Sequence, residues 1–172
     1  MRVRFTKLKD GWQEVAVLRE GACPSPFRFP PKGPVPHDAT HLFVESVFGL
    51  QRGFWGRVAA GQDPQAVEEE AKAGGHASAK RAQVPAPGLV ELLQAERLVE
   101  CFEAELWSGS SDDAGLSAMA RAGWEASHVP PLELDATRLA AVRQRMSAFA
   151  HEWAQLAIGG MIACEWSGKD MR

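Results

Sequence analysis

The segment HDATH, residues 37–41, has the residue types and spacing most suggestive of a metal site in this sequence. His37 and His41 are four residues apart, which on an α-helix places both imidazoles on one face, as in the zinc-binding HExxH pattern. Asp38 occupies the position of the catalytic glutamate in that pattern, although its side chain is one methylene shorter. The spacing therefore predicts a site for a divalent metal, with Asp38 as a candidate base.

Two further residues are candidates for the same site. Glu45 continues the spacing, but at 1.5 Å per residue it lies about 12 Å from His37 along the helix axis, too far for one ion to bind both. We therefore consider Glu45 as a base or as a group that orients a histidine. A third ligand must come from elsewhere, and we favour His151 because a helix would hold it more rigidly than a loop.

The same segment can also be interpreted as an ordinary helix start. Pro36 and Asp38 are typical of the first positions of a helix, and if Asp38 is the N-cap then His37 lies outside the helix. The i,i+4 geometry would then be lost, and Glu45 would be a solvated helix residue. The sequence leaves both interpretations open.

A second candidate site is the glycine-flanked aromatic pair Phe54-Trp55 in GFWGRVAAG. Glycine permits close approach of the backbone, so these aromatics could shape a ligand pocket. The alternative is that they insert into the hydrophobic core. The segment matches neither GxGxxG nor GxxxxGK[ST], so no motif supports nucleotide binding.

Composition excludes several classes of function. The chain has 172 residues, 45% of them hydrophobic and 24% charged, as expected for one globular domain spanning residues 1–172. A net charge of −3 argues against a nucleic-acid-binding protein. The three cysteines form no CxxC pair, which favours reduced thiols in the cytoplasm. No export signal or membrane span is indicated, because long apolar runs are absent from the sequence.

The elements that would position these residues begin with an N-terminal β-hairpin. Two β-rich runs meet at Asp10-Gly11, residues suited to a two-residue type I′ turn. Such a turn fixes the register, pairing Phe5 with Ala16. The segment 22–36 is rich in proline, which cannot donate a backbone hydrogen bond, and it is interpreted as an extended connector.

Helices are predicted for most of the remaining chain, with a C-terminal strand that joins the hairpin. Asp63 and Asp135 are predicted N-caps of two of them. The sequence therefore predicts an α+β fold, in which a small antiparallel sheet packs against four or five helices. The predicted helices start near residues 37, 64, 89, 116 and 136.

The segment PHDATHLFVESVFGLQRGFWGRVAAG resembles a group of short, uncharacterised bacterial proteins. In those proteins a similar HD..H..VE precedes a glycine-flanked aromatic and AAG. The similarity covers about 26 residues, with a weaker echo in GGMIACEW. It implies a shared fold for this segment and no known activity.

Two functions are consistent with these observations. Ordinary core patterning favours a small cytoplasmic bacterial protein that acts by binding a protein or small molecule, with a homodimer formed through an uncovered strand edge or helix face. The alternative is a metal-dependent hydrolase-like enzyme that uses His37 and His41. An enzyme requires the two histidines to converge in a cleft with a third ligand, whereas a binding protein predicts that they are splayed or exposed.

Overall fold

The computed structural model describes residues 1–19, 21, 26–30, 33–73 and 84–168. Within these residues the chain forms a four-stranded antiparallel sheet and six α-helices, which confirms the α+β prediction. The sheet has one strand more than predicted, and the short helical segment expected near Trp55 forms the sixth helix. The strands are β1 (Arg2–Lys7), β2 (Gln13–Leu18), β3 (Phe27–Phe29) and β4 (Met161–Glu165), in the spatial order β3-β2-β1-β4. The helices are α1 (His37–Phe48), α2 (Phe54–Ala59), α3 (Pro64–Ala73), α4 (Val90–Ser108), α5 (Asp113–Ala126) and α6 (Ala136–Gln155).

The turn between β1 and β2 contains one residue more than predicted. Asp10 and Gly11 have φ values of 56° and 77°, as a type I′ turn requires, and the Trp12 N–H donates to the Lys9 carbonyl at 3.1 Å. The Leu8 N–H also donates to the Trp12 carbonyl, at 2.8 Å. Trp12 therefore faces both Leu8 and Lys9, the two residues that follow β1, which is the arrangement of a β-bulge.

The bulge changes the register of the hairpin. Phe5 pairs with Val15 and Val3 with Val17, so the predicted pairing of Phe5 with Ala16 was wrong. Because side chains alternate between the faces of a strand, the one-residue shift places all four of these apolar side chains on one buried face. β4 pairs with the other side of β1, which confirms that the C-terminal strand joins the hairpin.

The proline-rich segment 22–36 contains a strand and is therefore more than a connector. β3 pairs antiparallel with β2, with Phe27 opposite Val15 and Phe29 opposite Gln13. A strand of three residues is too short to show period-2 alternation, and proline is tolerated beside it because β3 lies at the sheet edge. This strand brings two phenylalanines next to the site described below.

α1 is the central helix and contacts α2, α4 and α6. It begins at His37 with Pro36 in the N-cap position, so the interpretation of Asp38 as the N-cap was wrong. Residues 39–48 are all buried. A helix buried on every side must satisfy its polar side chains internally, and those of α1 are Thr40, His41, Glu45 and Ser46.

The remaining helices follow the sequence pattern closely. Asp63 and Asp135 cap α3 and α6 as predicted, each accepting a hydrogen bond from a backbone N–H in the first turn. The apolar stripes of α4 and α6 are buried, and both helices pack against α1. None of the described helices has both the length and the apolar character needed to cross a membrane.

Candidate metal centre

His37 and His41 lie side by side on α1, with ring centroids 4.7 Å apart. Glu96 on α4 lies opposite them, with Oε2 3.1 Å from His41 Nε2 and 3.9 Å from His37 Nε2. One donor atom from each of the three residues lies within 4.8 Å of the other two. The structure thus brings the two expected histidines together and places Glu96 beside them, a residue that the sequence analysis did not select.

The second ring nitrogen of each histidine faces another carboxylate. His37 Nδ1 is 2.8 Å from Glu103 Oε1, and His41 Nδ1 is 3.2 Å from Glu45 Oε1. An ionised carboxylate can only accept, so with these carboxylates ionised each Nδ1 donates to one of them and each Nε2 faces Glu96. Carboxylate–histidine pairs of this kind orient the imidazoles at metal centres and raise their basicity.

Glu45 links this site to the start of α2. Its carboxylate is fully buried: Oε1 accepts from the Phe54 N–H at 3.1 Å, and Oε2 accepts from the Trp55 and Gly56 N–H groups at 2.7 and 3.3 Å. These donors lack partners within the helix and carry its partial positive charge. The solvated interpretation of Glu45 was therefore wrong. Its contact with His41 is the geometry expected of a residue that orients a histidine, and both oxygens are already engaged.

The glycines around the aromatic pair allow this close approach. A Cβ at Gly53 would lie 2.5 Å from Glu45 Oε2, and a Cβ at Gly56 would lie 2.3 Å from the Gln51 carbonyl oxygen. Real Cβ atoms do not approach other atoms so closely, so both positions require glycine in this conformation. The glycine-flanked motif is explained by the turn of the chain over the Glu45 carboxylate.

The two aromatics of this motif have different environments. Trp55 is completely buried, and its indole N–H donates to the Asp38 carbonyl at 2.8 Å. Phe54 is half-buried, packs edge-on against Trp55 with a centroid separation of 4.9 Å, and faces a cavity. Of the two residues expected to shape a pocket, the structure places Phe54 at the cavity and Trp55 in the core.

The carboxylates control the protonation of His41. Burial alone lowers the pKa of His41, but hydrogen bonds to Glu45 and Glu96 outweigh this effect and raise the pKa to about 10. Burial raises the pKa of Glu45, against the opposing effect of the donors that surround it. The pair therefore retains a proton at neutral pH, and a cation that binds His41 Nε2 must displace it.

The three groups lie on the wall of a cavity of about 700 Å³. This volume is within the usual range for small-molecule sites. The first residue of β2, strand β3, and helices α1, α3 and α4 all contribute to the lining. Asp38 faces the same cavity. The apolar part of the wall consists of Pro26, Phe27, Phe29, Pro30, Phe54, Ala71 and Leu92, with Pro64 at the start of α3.

Other sequence-based candidates lie outside this group. His151 is exposed on α6, where its Nε2 is 2.9 Å from the Gln155 amide nitrogen, and it is not among the clustered residues.

Burial raises the pKa values of the Cys101 and Cys164 thiols to about 11, so both remain protonated at neutral pH.

No known protein family, characterised protein or solved structure matches this chain significantly. The resemblance of residues 36–61 to short bacterial proteins therefore stays a prediction.

Proposed function

We propose that the protein binds one divalent transition-metal ion through His37, His41 and Glu96 and uses it to activate water in a hydrolytic reaction. The observation that carries this proposal is the convergence of the three donor groups on a cavity wall, with a separate carboxylate behind each histidine. Two histidines and one carboxylate form the ligand set of catalytic zinc sites that leave a coordination position open.

The charge of the cluster supports a cation. Glu45, Glu96 and Glu103 place three carboxyl groups around two imidazoles, so acidic groups outnumber basic ones in the cluster. A divalent ion offsets this charge without adding a buried cationic side chain. Imidazole donors favour a first-row transition metal over Mg²⁺ or Ca²⁺, which prefer oxygen ligands.

The distances between donor atoms also suit such an ion. Ligands about 2.1 Å from a tetrahedral metal are about 3.4 Å from each other. The His41–Glu96 separation of 3.1 Å is close to this value. The His37–Glu96 separation of 3.9 Å would have to shorten slightly, which a small side-chain rotation provides.

A bound metal would lower the pKa of a coordinated water to about 7, which would create a nucleophile at neutral pH. Asp38 is the carboxylate we propose as base, because it directly follows His37 in α1 and faces the same cavity. Glu45 does not have this role, because its two oxygens accept hydrogen bonds from α2 and face His41.

The proposal is tested first by the metal content of protein purified without an affinity tag, measured by elemental mass spectrometry. We expect close to one zinc, manganese or iron per chain, lost in His37→Ala/His41→Ala and in Glu96→Gln. His151→Ala is the matched control, since it removes an exposed histidine distant from the cluster, and it should retain the metal.

The hydrolytic part of the proposal is tested separately. Asp38→Asn should retain the metal but hydrolyse aryl ester and anilide substrates more slowly than the parent protein. A parent protein that binds no metal after incubation with Zn²⁺, Mn²⁺ or Fe²⁺ would overturn the proposal. That result would instead favour the other function inferred from the sequence, a protein that acts by binding alone.

A further inference from the structure

Gln13 is a buried polar side chain that faces the cavity beside the metal centre. It is only 3% exposed, and it belongs to the same face of β2 as the core residues Val15 and Val17. Within the described part of the chain its side-chain amide makes no hydrogen bond, and its polar atoms are open to the cavity rather than enclosed in the core. A polar group that opens onto an otherwise apolar cavity wall is placed to pair with a ligand.

The wall around Gln13 is aromatic. Phe29 pairs with Gln13 across the sheet, and Phe27 and Phe29 meet edge-to-face with ring centroids 5.3 Å apart. Phe54 adds a third half-buried ring from α2, and Leu92 adds an aliphatic surface from α4. Surfaces of this type bind aromatic or branched aliphatic groups through apolar burial and ring contacts.

Away from the metal centre, the charged side chains of the cavity wall are paired with each other or with a neighbour. Arg28 contacts Glu14 at 3.1 Å and Lys72 contacts Glu68 at 2.5 Å. A charged ligand group, whether a carboxylate or an ammonium, would lose its hydration there without meeting an unpaired opposite charge. This part of the cavity therefore favours an uncharged ligand.

We infer, building on the proposed metal centre, that the substrate is an uncharged molecule with an aromatic or branched apolar body and a carboxamide-type group. The carboxamide of the substrate pairs with the side-chain amide of Gln13, because each of the two groups offers both a donor and an acceptor. The apolar body packs against Phe27, Phe29 and Phe54. This pairing accounts for a polar residue on the face of β2 that it shares with the core residues Val15 and Val17.

The test compares probes of equal size and different charge. Benzamide, benzoate and benzylamine are titrated into the Zn²⁺-loaded protein and into the metal-free protein, and binding is followed by backbone amide NMR. We expect benzamide to bind at least tenfold more tightly than benzylamine in both forms, and at least tenfold more tightly than benzoate in the metal-free form. Signals from β2 and β3 should shift.

Gln13→Leu is the decisive variant, and Gln65→Leu is its matched control. Gln65 lines the same cavity from α3 but is exposed. Gln13→Leu should weaken benzamide binding about five- to tenfold, the loss expected for one buried hydrogen-bonded group. Gln65→Leu should change it less than twofold. Gln13→Leu should leave the Tm of the protein without benzamide nearly unchanged, because the amide that it removes makes no hydrogen bond within the described residues, and this readout shows that the variant is folded.

The outcomes separate this inference from the proposed metal centre. Gln13 is not a metal ligand, so Gln13→Leu should bind Zn²⁺ as tightly as the parent protein. If the metal binds but benzamide has no advantage over benzylamine, or binds Gln13→Leu as tightly as the parent, the inference is overturned while the metal centre stands. Absence of saturable benzamide binding at millimolar concentration would also overturn it. A protein that binds benzamide through Gln13 but takes up no metal would overturn the metal centre alone.

Discussion

Replacing Glu45 by glutamine tests whether one carboxylate supports both the fold and the metal centre. Glutamine has the same shape but replaces one oxygen with an NH₂ group. If the remaining oxygen occupies the Oε2 position, it keeps the hydrogen bonds from Trp55 and Gly56. The NH₂ group then faces two partners of the former Oε1, the Phe54 N–H and His41 Nδ1. Two donors oppose each other at Phe54, and the amide donates to His41 Nδ1.

Each of these contacts has a measurable cost. A buried N–H left without an acceptor costs about 1–3 kcal/mol, which for a chain of this size lowers Tm by about 2–12 °C. A donor at His41 Nδ1 moves the imidazole proton to Nε2, the atom that would bind the metal. Loss of a carboxylate partner of this kind weakens metal binding by about 10- to 100-fold. Glu45→Gln should therefore reduce both stability and metal affinity.

Thermal unfolding followed by circular dichroism, together with competition titrations for Zn²⁺, measures the two effects. Glu103→Gln is the matched control, because Glu103 faces His37 Nδ1 as Glu45 faces His41, but in the described residues it caps no helix. It should weaken metal binding with little change in the Tm of the metal-free protein. If Glu45→Gln unfolds at the parent temperature, or binds Zn²⁺ with parent affinity, the dual role of Glu45 is refuted.

Four further predictions follow from the same geometry. Zn²⁺ at a hundred times its Kd should stabilise the protein by about 2.7 kcal/mol, or about 5–10 °C in Tm, and unchanged melting with and without EDTA would argue against the site. The affinity for Zn²⁺ should rise about tenfold per pH unit below the His41 pKa of about 10, because one proton is displaced. Calorimetry in buffers of different ionisation enthalpy measures the release of that proton. Binding heats that do not depend on the buffer would contradict its release. In the metal-free protein the raised pKa of His41 stabilises the folded state. This contribution to the free energy of unfolding is complete below about pH 6.5 and is lost as the pH rises through about 10. Urea unfolding of the parent protein and of His41→Ala across this pH range measures it. Gly53→Ala should lower both Tm and metal affinity, because its Cβ would lie 2.5 Å from Glu45 Oε2. Gly88→Ala should change neither, because its Cβ meets nothing within 4 Å. Equal Tm values and equal metal affinities for the two variants would refute the steric argument.

The parts of the fold that the sequence predicted are those encoded locally. Periodic apolar residues and capping side chains such as Asp63 and Asp135 identify helices without knowledge of their partners. The hairpin register could not be predicted from the turn residues alone, because one extra residue at the turn changes which side chains share a face. Placing Val15 and Val17 with Phe5 requires the helices that bury that face.

The candidate site was predicted in part for the same reason. His37 and His41 are neighbours through helix geometry alone, so the sequence could pair them. Glu96 could not be recognised, because α4 is rich in acidic residues that resemble a solvated face. Only the tertiary partners distinguish them: Glu91, Glu100 and Glu105 contact arginines, whereas Glu96 and Glu103 contact the histidines.

α1 is a core helix that carries a stripe of polar side chains, and this combination is the strongest physical reason to assign it a function. His37, His41 and Glu45 follow each other at intervals of four residues, so they form one stripe that faces α4 and the start of α2. Replacing a buried cluster of charges by apolar side chains is often neutral or stabilising, so stability does not explain this polar stripe. Removal of a single member, in contrast, leaves a buried group unpaired. A helix that needed only to fill the core would have no physical reason to contain the stripe, whereas a helix that orients two imidazoles toward a cavity requires its members at these positions.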